Sequence, residues 1–551
     1  MAVSDLAGRR ALLVGPYDPN GGEYTFLSPP LGVWRLAGVL SAAGAAVEVL
    51  DPNCCPGEPR AELARLLSDG SWDLIGFSTT GMTLRFDLEL AHQARRMRPD
   101  ALLVAGGMEA TFNTDKVMRL GPFDCCVHGE GERPLLEICS RLAAGADWRG
   151  LPGTAFRGAG SELQRLPQRA LSREELRDSI FRVPYERMPY RAYWRKLEQA
   201  YRVQDLPYKA ERESRLSEIR SVRLITLNYC PMNCSFCSST NFLHAAQGST
   251  ALMARLDAGE CMTMLRRICS AFPELRTIIF QDDIFVFPND ARLLPLCEAI
   301  VEAKRCGQLP EQLQFISTNR IDSMSRERLA AMRRAGFRVL GFGVENFSLP
   351  VLKEFNKARI HPLIEPVLKD ALELRITPFL DMIMTSPRGS IEDLAENVRQ
   401  AYRWTLAGCE IGMYPYVIPF SGAAMSSDPS LLPHVTSTRQ RIAGTDIEWN
   451  QPSKILPLDP KVREVILAIE ASFEERLALL QDRVAHLPSR LRSLLWIVSS
   501  IPVLEPLGFP MPDFDLASAE LLARLPVPKQ ENGPRPAFEP LGLPLCAEPA
   551  R

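Results

Sequence analysis

Short, wholly apolar runs alternate with amphipathic stretches along most of this chain, and the alternation occurs in two series. In the first, the runs at 10–14, 47–51, 74–78, 102–105 and 125–128 read as strands, and helical spacing lies between them at 32–44, 58–68, 84–97 and 112–119. Strands without polar alternation are buried on both faces, which in a strand–helix series means a parallel sheet covered by helices. Five such repeats predict a doubly wound, Rossmann-like domain over residues 1–145, whose ligands bind at the carboxyl ends of the strands. A segment at 146–219, rich in Arg, Glu, Tyr and Pro, reads as a linker with short helices near 172–178 and 189–203. The second series follows, with strands at 223–227, 277–281, 314–317, 339–343, 377–384 and 410–417 and helices at 291–305, 325–335, 364–374 and 391–406. Six such units predict a partial (β/α)6 barrel over 220–420, with its chemistry at the carboxyl ends of the strands. Residues 421–525 read as a mostly helical C-terminal domain with apolar spacing across 461–485 and 488–501, and the proline-rich stretch 526–551 as a disordered tail. The predicted class is α/β, with no internal repeats.

Composition changes this picture little. A chain of 551 residues with 46% hydrophobic and 24% charged residues suits several soluble domains. A net charge of −2 gives no reason to expect nucleic acid or an anionic membrane as partner. No apolar run approaches the roughly 20 residues that cross a bilayer, and the N-terminus has no signal-peptide pattern. Fourteen cysteines in a chain this long are no disulfide framework. Most, such as Cys139, Cys261, Cys269, Cys297 and Cys306, stand singly in apolar segments as small hydrophobes. Free thiols imply a reducing, cytoplasmic setting.

Three cysteines differ. Cys230, Cys234 and Cys237 are spaced C-x3-C-x2-C just after the first strand of the second series. Three thiolates hold three corners of a [4Fe–4S] cube and leave one iron open to a small molecule. The rival is a structural zinc site, which needs a fourth ligand, and His244 is the nearby candidate. In the first series the strand ends carry Ser78-Thr79-Thr80-Gly81, Gly106-Gly107 and Gly129-Glu130-Gly131-Glu132. Glycines there admit a large ligand close to the backbone, and hydroxyls can bond its polar groups. Tyr185, Tyr190, Tyr414, Tyr416 and Trp449 could line a cavity, but read first as core packing.

The cysteine spacing resembles that of the radical S-adenosylmethionine (SAM) superfamily. A Rossmann-like unit with Gly106-Gly107 and Gly129-Glu130-Gly131-Glu132 ahead of a cysteine barrel is similar to the B12-binding subclass, over roughly residues 10–410. The resemblance implies a [4Fe–4S] cluster on Cys230, Cys234 and Cys237, with Phe236 packing near the SAM adenine. It places the methionine amino group after the second barrel strand, where Asp282 or Asp283 stands in place of the usual Gly-Gly-Glu. The stretches Arg320-Ile321-Asp322 and Gly343-Val344-Glu345-Asn346 look like the subclass pattern R-x-D … G-x-E-S, followed by Asn356-Lys357. They suggest Glu345 as a SAM contact and Arg320 either as a hold on the SAM carboxylate or as a brace to Asp322. Ser78, Thr79, Thr80, Gly106, Gly107, Gly129 and Glu130 are the implied cobalamin contacts. The corrinoid signature Asp-x-His-x-x-G is absent around all six histidines. The implied activity is methyl transfer to an unactivated carbon of a small molecule, through a 5′-deoxyadenosyl radical and methylcobalamin, with electrons from a flavodoxin- or ferredoxin-like donor. The alternatives are non-methylating radical chemistry, transfer of a 3-amino-3-carboxypropyl group, or a cobalamin- or metal-sensing module.

Overall fold

The computed structural model describes residues 6–20, 27–158, 160–206, 208–248, 252–481 and 489–510. The first sheet contains β1 (Arg10–Val14), β2 (Ala46–Leu50), β3 (Leu74–Ser78), β4 (Leu102–Gly106), β5 (Cys125–Val127), β6 (Thr154–Arg157) and β7 (Leu163–Arg165), in the order β2-β1-β3-β4-β5-β6-β7. The first five strands are parallel, as their apolar runs require. Strand order reverses between β1 and β3, and this switch point opens the crevice where ligands of doubly wound sheets bind. The last two strands run antiparallel. They correct the sequence reading of 146–219 as a linker: that segment begins by extending the first sheet. It continues with helices Arg173–Phe181, Tyr190–Ala200 and Lys209–Ile219. Tyr185, Tyr190 and Trp194 from this stretch are buried in the same core as the second sheet.

The second sheet is wholly parallel, ordered β13-β12-β11-β10-β9-β8, from β8 (Ser221–Leu224) and β9 (Thr277–Phe280) through β10 (Gln314–Asn319), β11 (Phe337–Glu345) and β12 (Thr377–Ile383) to β13 (Glu410–Tyr414). Parallel pairing sends every strand's carboxyl end to the same rim. Beyond it, residues 421–525 depart from the helical expectation. β14 (Val435–Arg441) and β15 (Glu448–Ile455) form an antiparallel hairpin, and helices Pro460–Gln481 and Ser489–Leu504 follow. Ile442 and Trp449 of this hairpin are buried in the core of the first sheet domain, which straps the end of the barrel to it. Residues 511–551, with the expected tail, lie outside the described residues. Among the described residues no helix is long and apolar enough to cross a membrane.

One buried acid ties the first sheet to the segment that precedes the barrel. Tyr193 Oη donates to both carboxyl oxygens of Asp51 at 3.0 Å, and Asn53 N donates to Oδ1 at 3.2 Å. Burial pushes the Asp51 carboxyl up to about 7 from an ordinary 3.8, outweighing the Tyr193 and Asn53 bonds that lower it. The folded state then holds this proton more tightly than the unfolded chain, so Asp51 favours folding at low pH and loses that contribution as pH rises towards 7. Asp51→Asn, which cannot titrate, is expected to flatten this part of the profile. The Tm of the wild type relative to the variant, followed from pH 4 to pH 7, should fall steadily.

Candidate functional site

The cysteine loop leaves β8 through Thr226 and Leu227, and a single carboxylate fixes its course. Asp282 accepts from Thr226 N at 2.6 Å and Leu227 N at 2.9 Å through Oδ1, and from Thr226 Oγ1 at 2.5 Å through Oδ2. Both its oxygens are therefore engaged by Thr226 and Leu227. Of the two aspartates after β9, this leaves Asp283 directed towards the thiols. Asp283 is exposed and, together with Asp282, lines a partly open pocket of about 210 Å³. Tyr229, Gln281 and Asn228 share that cavity with Leu31 and Arg35 of the first domain. Burial raises the Asp283 carboxyl, partly offset by a hydrogen bond from Ser239.

The loop has no regular structure, so its neighbours hold it. Asn356 Nδ2 donates to Asn233 O at 2.7 Å, Ser235 Oγ to Glu354 O at 2.7 Å, Met425 N to Ser235 O at 2.9 Å, and Thr240 Oγ1 to Cys230 O at 3.0 Å. Asn356 adopts φ +57°, a backbone state that asparagine tolerates and that aims its amide at the loop. The Phe236 ring packs on Phe355, with centroids 5.0 Å apart. His244 packs edge-on against Tyr229 at 6.2 Å. Among the described residues no three His, Cys, Asp or Glu side chains converge on one ion-sized point. Burial pushes the Cys230 thiol up to about 12 and also raises Cys234 and Cys237.

Two cations stand near Cys234 and lower its thiol against burial. Arg320 grips Asp322 through Nε at 2.8 Å and Nη2 at 2.9 Å, so the expected brace is present, and its Nη1 lies 4.0 Å from Cys234 Sγ. Lys357, 4% exposed, donates to Glu345 Oε1 at 2.8 Å and Gly343 O at 2.5 Å. Glu345 sits at a register shift ending β11, with φ +65°. A non-glycine residue held in that conformation is backbone strain of the kind found at functional sites.

At the first sheet the ligand edge is only partly as expected. Gly107, at φ +92°, lies so close to β3 that a Cβ would stand 2.7 Å from Thr79 O and 3.3 Å from Ser78 Oγ. Thr79 is fully buried and its hydroxyl donates to Gly106 O at 2.9 Å. Thr80 Oγ1 meets Thr83 Oγ1 at 2.9 Å beside the start of helix Leu84–Met97. These two hydroxyls are thus engaged within the protein, while Ser78, Gly106 and Gly107 lie at the adjacent carboxyl ends of β3 and β4. Gly129 and Glu130 turn towards the barrel, where the Glu130 carboxyl meets Arg35 and Asn228, both of which line the pocket beside Asp283. A Cβ on Gly129 would meet Ala246 of the barrel helix Ser239–Gln247 at 2.6 Å. Glu130 is buried beside Gln247 and Gln168, its carboxyl pushed up to about 8 by burial and by Glu132. The glycine there is needed for close packing between the two sheets' domains.

That packing brings the two ligand edges together. The helix directly after the cysteines lies on the first domain, with Phe242 against Phe112 at 6.2 Å. Gln168 N donates to Ala246 O at 2.9 Å, and Arg165 Nη2 bridges Thr111 O at 3.1 Å and Ala245 O at 2.9 Å.

Residues 18–139 match the B12 binding domain family. The N-terminal unit is a B12-binding domain. Over 400 residues the chain is 21% identical to an uncharacterized methyltransferase of Pyrococcus horikoshii, spanning 72% of this chain and 77% of that protein. It is 22% identical over 405 residues to the anaerobic magnesium-protoporphyrin IX monomethyl ester cyclase of Cereibacter sphaeroides, covering 72% of this chain and 60% of that relative. Among solved structures, the radical SAM methyltransferase TsrM from Kitasatospora setae, with cobalamin and a [4Fe–4S] cluster bound, superposes with TM-score 0.59 at 16% identity over 82% of each chain. The cobalamin-dependent SAM radical enzyme OxsB, with aqua-cobalamin and SAM bound, superposes with TM-score 0.68 at 15% identity over 94% of this chain and 75% of its own. The chain has the fold of the cobalamin-dependent radical SAM enzymes.

Sequence reasoning missed Asp381, a lone carboxylate in β12 whose Oδ1 is buried without a hydrogen-bond partner. Its signal was available as an acidic residue inside an otherwise apolar barrel strand. Sequence reasoning left Asp282 and Asp283 as alternative ligands, and Asp282 is engaged by Thr226 and Leu227. Asp282→Ala is expected to release the 226–227 backbone, lowering stability by roughly 3 kcal/mol, the scale of charge-assisted hydrogen bonds left unmade in a buried site. Urea unfolding measures the loss, and anaerobic iron–sulfide reconstitution of the same variant should give a reduced cluster yield.

Proposed function

We propose that this chain is a cobalamin-dependent radical SAM enzyme that transfers a methyl group to a carbon of a small-molecule substrate. The observation that carries the reading is the stacking of the helix following Cys230, Cys234 and Cys237 on the carboxyl-end loops of the B12-binding domain. The side chains present suit the groups proposed. Three thiols on one loop, with cations at Cys234, match the donor set of a [4Fe–4S] cube with an open iron. Asp283 would hold the SAM ammonium, Arg320 its carboxylate, and Glu345 a further polar group of SAM, with Phe236 beside the adenine. Ser78, Gly106 and Gly107 would hold cobalamin at the carboxyl ends of β3 and β4.

When bound, the cluster supplies the electron that cleaves SAM and cobalamin carries the methyl group. The protein's own task is positioning and exclusion of water. Asp282 and Asn356 fix the loop, Arg320 and Lys357 favour the thiolate at Cys234, and the first-domain contacts at Phe112 and Gln168 close the cleft. An electron donor of the flavodoxin or ferredoxin kind belongs to the same proposal.

Anaerobic reconstitution with iron, sulfide and cobalamin, followed by product analysis with SAM and dithionite, tests it. Methyl transfer yields both 5′-deoxyadenosine and S-adenosylhomocysteine. The first product alone would turn the assignment to non-methylating radical chemistry, and neither product to a sensor. Cys234→Ala is expected to abolish cluster absorbance and lower 5′-deoxyadenosine formation at least about a thousandfold, to background. Retained SAM cleavage in that variant refutes the cluster assignment.

A further inference from the structure

Glu130 follows β5 in the B12-binding domain, yet it is 5% exposed and packs against the barrel. Gln247, at the end of the barrel helix Ser239–Gln247, donates through Nε2 to Glu130 Oε2 at 3.4 Å and to Gln168 Oε1 at 3.0 Å. Gln168 holds the backbone of the same turn. Its Oε1 accepts from Glu130 N at 3.2 Å, and its Nε2 donates to Glu130 O. Asn228 stands within hydrogen-bonding reach of the Glu130 carboxyl, whose Oε1 is otherwise without a partner. Cys230 follows two residues after Asn228. From the barrel side, Asn228 Nδ2 donates to Leu252 O at 2.8 Å and its Oδ1 accepts from Ala254 N at 2.8 Å. The entry to the cysteine loop is therefore held between a barrel segment and an acid of the other domain.

The charged groups that act on Glu130 are Glu132, which opens the next helix, and Arg35 of helix Leu31–Ala42. Arg35 Nη2 lies 2.6 Å from Glu132 Oε1. One guanidinium thus faces two buried acids and is taken by Glu132. Glu130 keeps its proton up to about 8, because burial and the neighbouring Glu132 both disfavour its anion. A neutral carboxyl can hydrogen-bond Asn228 and Gln247 without the desolvation penalty of a buried charge. Asn228 and Arg35 both line the pocket that contains Asp283, so whatever sets Asn228 also sets one wall of that pocket.

We propose that Glu130 is a positioning residue: from the B12-binding domain it holds Asn228, and so sets the start of the cysteine loop and the pocket wall beside Asp283. The inference rests on the enzymatic reading above and deepens it, because SAM affinity at the barrel then depends on how the B12-binding domain is seated. Glu130 acts through Asn228 rather than on SAM.

The test is anaerobic calorimetry of SAM binding to the full chain carrying its oxidised cluster. At pH 6.5, Glu130→Ala is expected to weaken SAM binding about tenfold, the scale of one lost hydrogen bond, whereas Glu130→Gln, which keeps the shape of the neutral acid, should retain wild-type affinity. In an Asn228→Ala background the Glu130→Ala change should bring no further loss, since the contact it removes is already gone. At pH 9 the wild-type acid has lost its proton beside Glu132, so wild-type affinity should fall several-fold below that of Glu130→Gln, which cannot titrate. Wild-type affinity in Glu130→Ala, an equal loss in Glu130→Gln, or an undiminished loss in the Asn228→Ala background overturns the proposal. Failure of the enzymatic reading would look different, since the wild type itself would then carry no cluster or bind no SAM.

Discussion

A ligand loop without regular structure can hold a cofactor only if something rigid fixes where it starts, and here that is the grip of Asp282 on the end of β8. Three bonds from one buried carboxylate set the direction of the backbone at Thr226 and Leu227, only a few residues before Cys230. Asp283 beside it is exposed in the same pocket and lies close enough to Cys230 and Cys237 to act on their thiols. Adjacent positions after one strand thus divide the work, the first serving the scaffold and the second open to a ligand.

The electrostatics around the thiols follow from that placement. Burial favours the neutral thiol, whereas an iron–sulfur cube takes thiolates. Lys357 and Arg320 offset part of this at Cys234. Each cation already has an anionic partner, Glu345 and Asp322 respectively, so the site acquires no large net charge. An unpaired lysine in the same place would carry the full desolvation cost of a buried ammonium. The strained Glu345 is the counterpart of this arrangement, since its unusual backbone brings the carboxylate back over Gly343 to meet Lys357.

The sequence disclosed most of the two parallel sheets because strands buried on both faces leave long apolar runs, and the cysteine trio because its spacing is rare by chance. It hid β6, β7 and the β14–β15 hairpin for the opposite reason. These strands are antiparallel, short or half-exposed, as in Leu163–Arg165 and Val435–Arg441, and their polar residues resemble those of loops. The role of a short polar side chain after a strand was equally hidden. Thr79 and Thr80 sit where a ligand hydroxyl would sit, yet their oxygens turn to Gly106 and Thr83, a choice fixed by geometry that spacing does not encode. Gly129-Glu130 shows the same ambiguity, because a glycine that admits a ligand and one that admits the neighbouring helix look identical in the sequence.

The hairpin changes how the cleft between the two sheets is understood. The helix Ser239–Gln247 and the segment around Ser421 touch the B12-binding domain at Phe112, Asn113 and Gly129. Farther round the same domain, Gln451 of the hairpin accepts from Lys116 at 2.7 Å, Lys116 pairs with Glu109 at 2.9 Å, and Trp449 enters the domain core. The barrel is therefore fastened to the first domain by the helix after its first strand and by the hairpin beyond its last strand. An edge held at two such points resists both sliding and hinge opening better than a single contact would, because each attachment blocks the rotation the other permits. That restraint fixes the carboxyl ends of β3 and β4 relative to the cysteine loop.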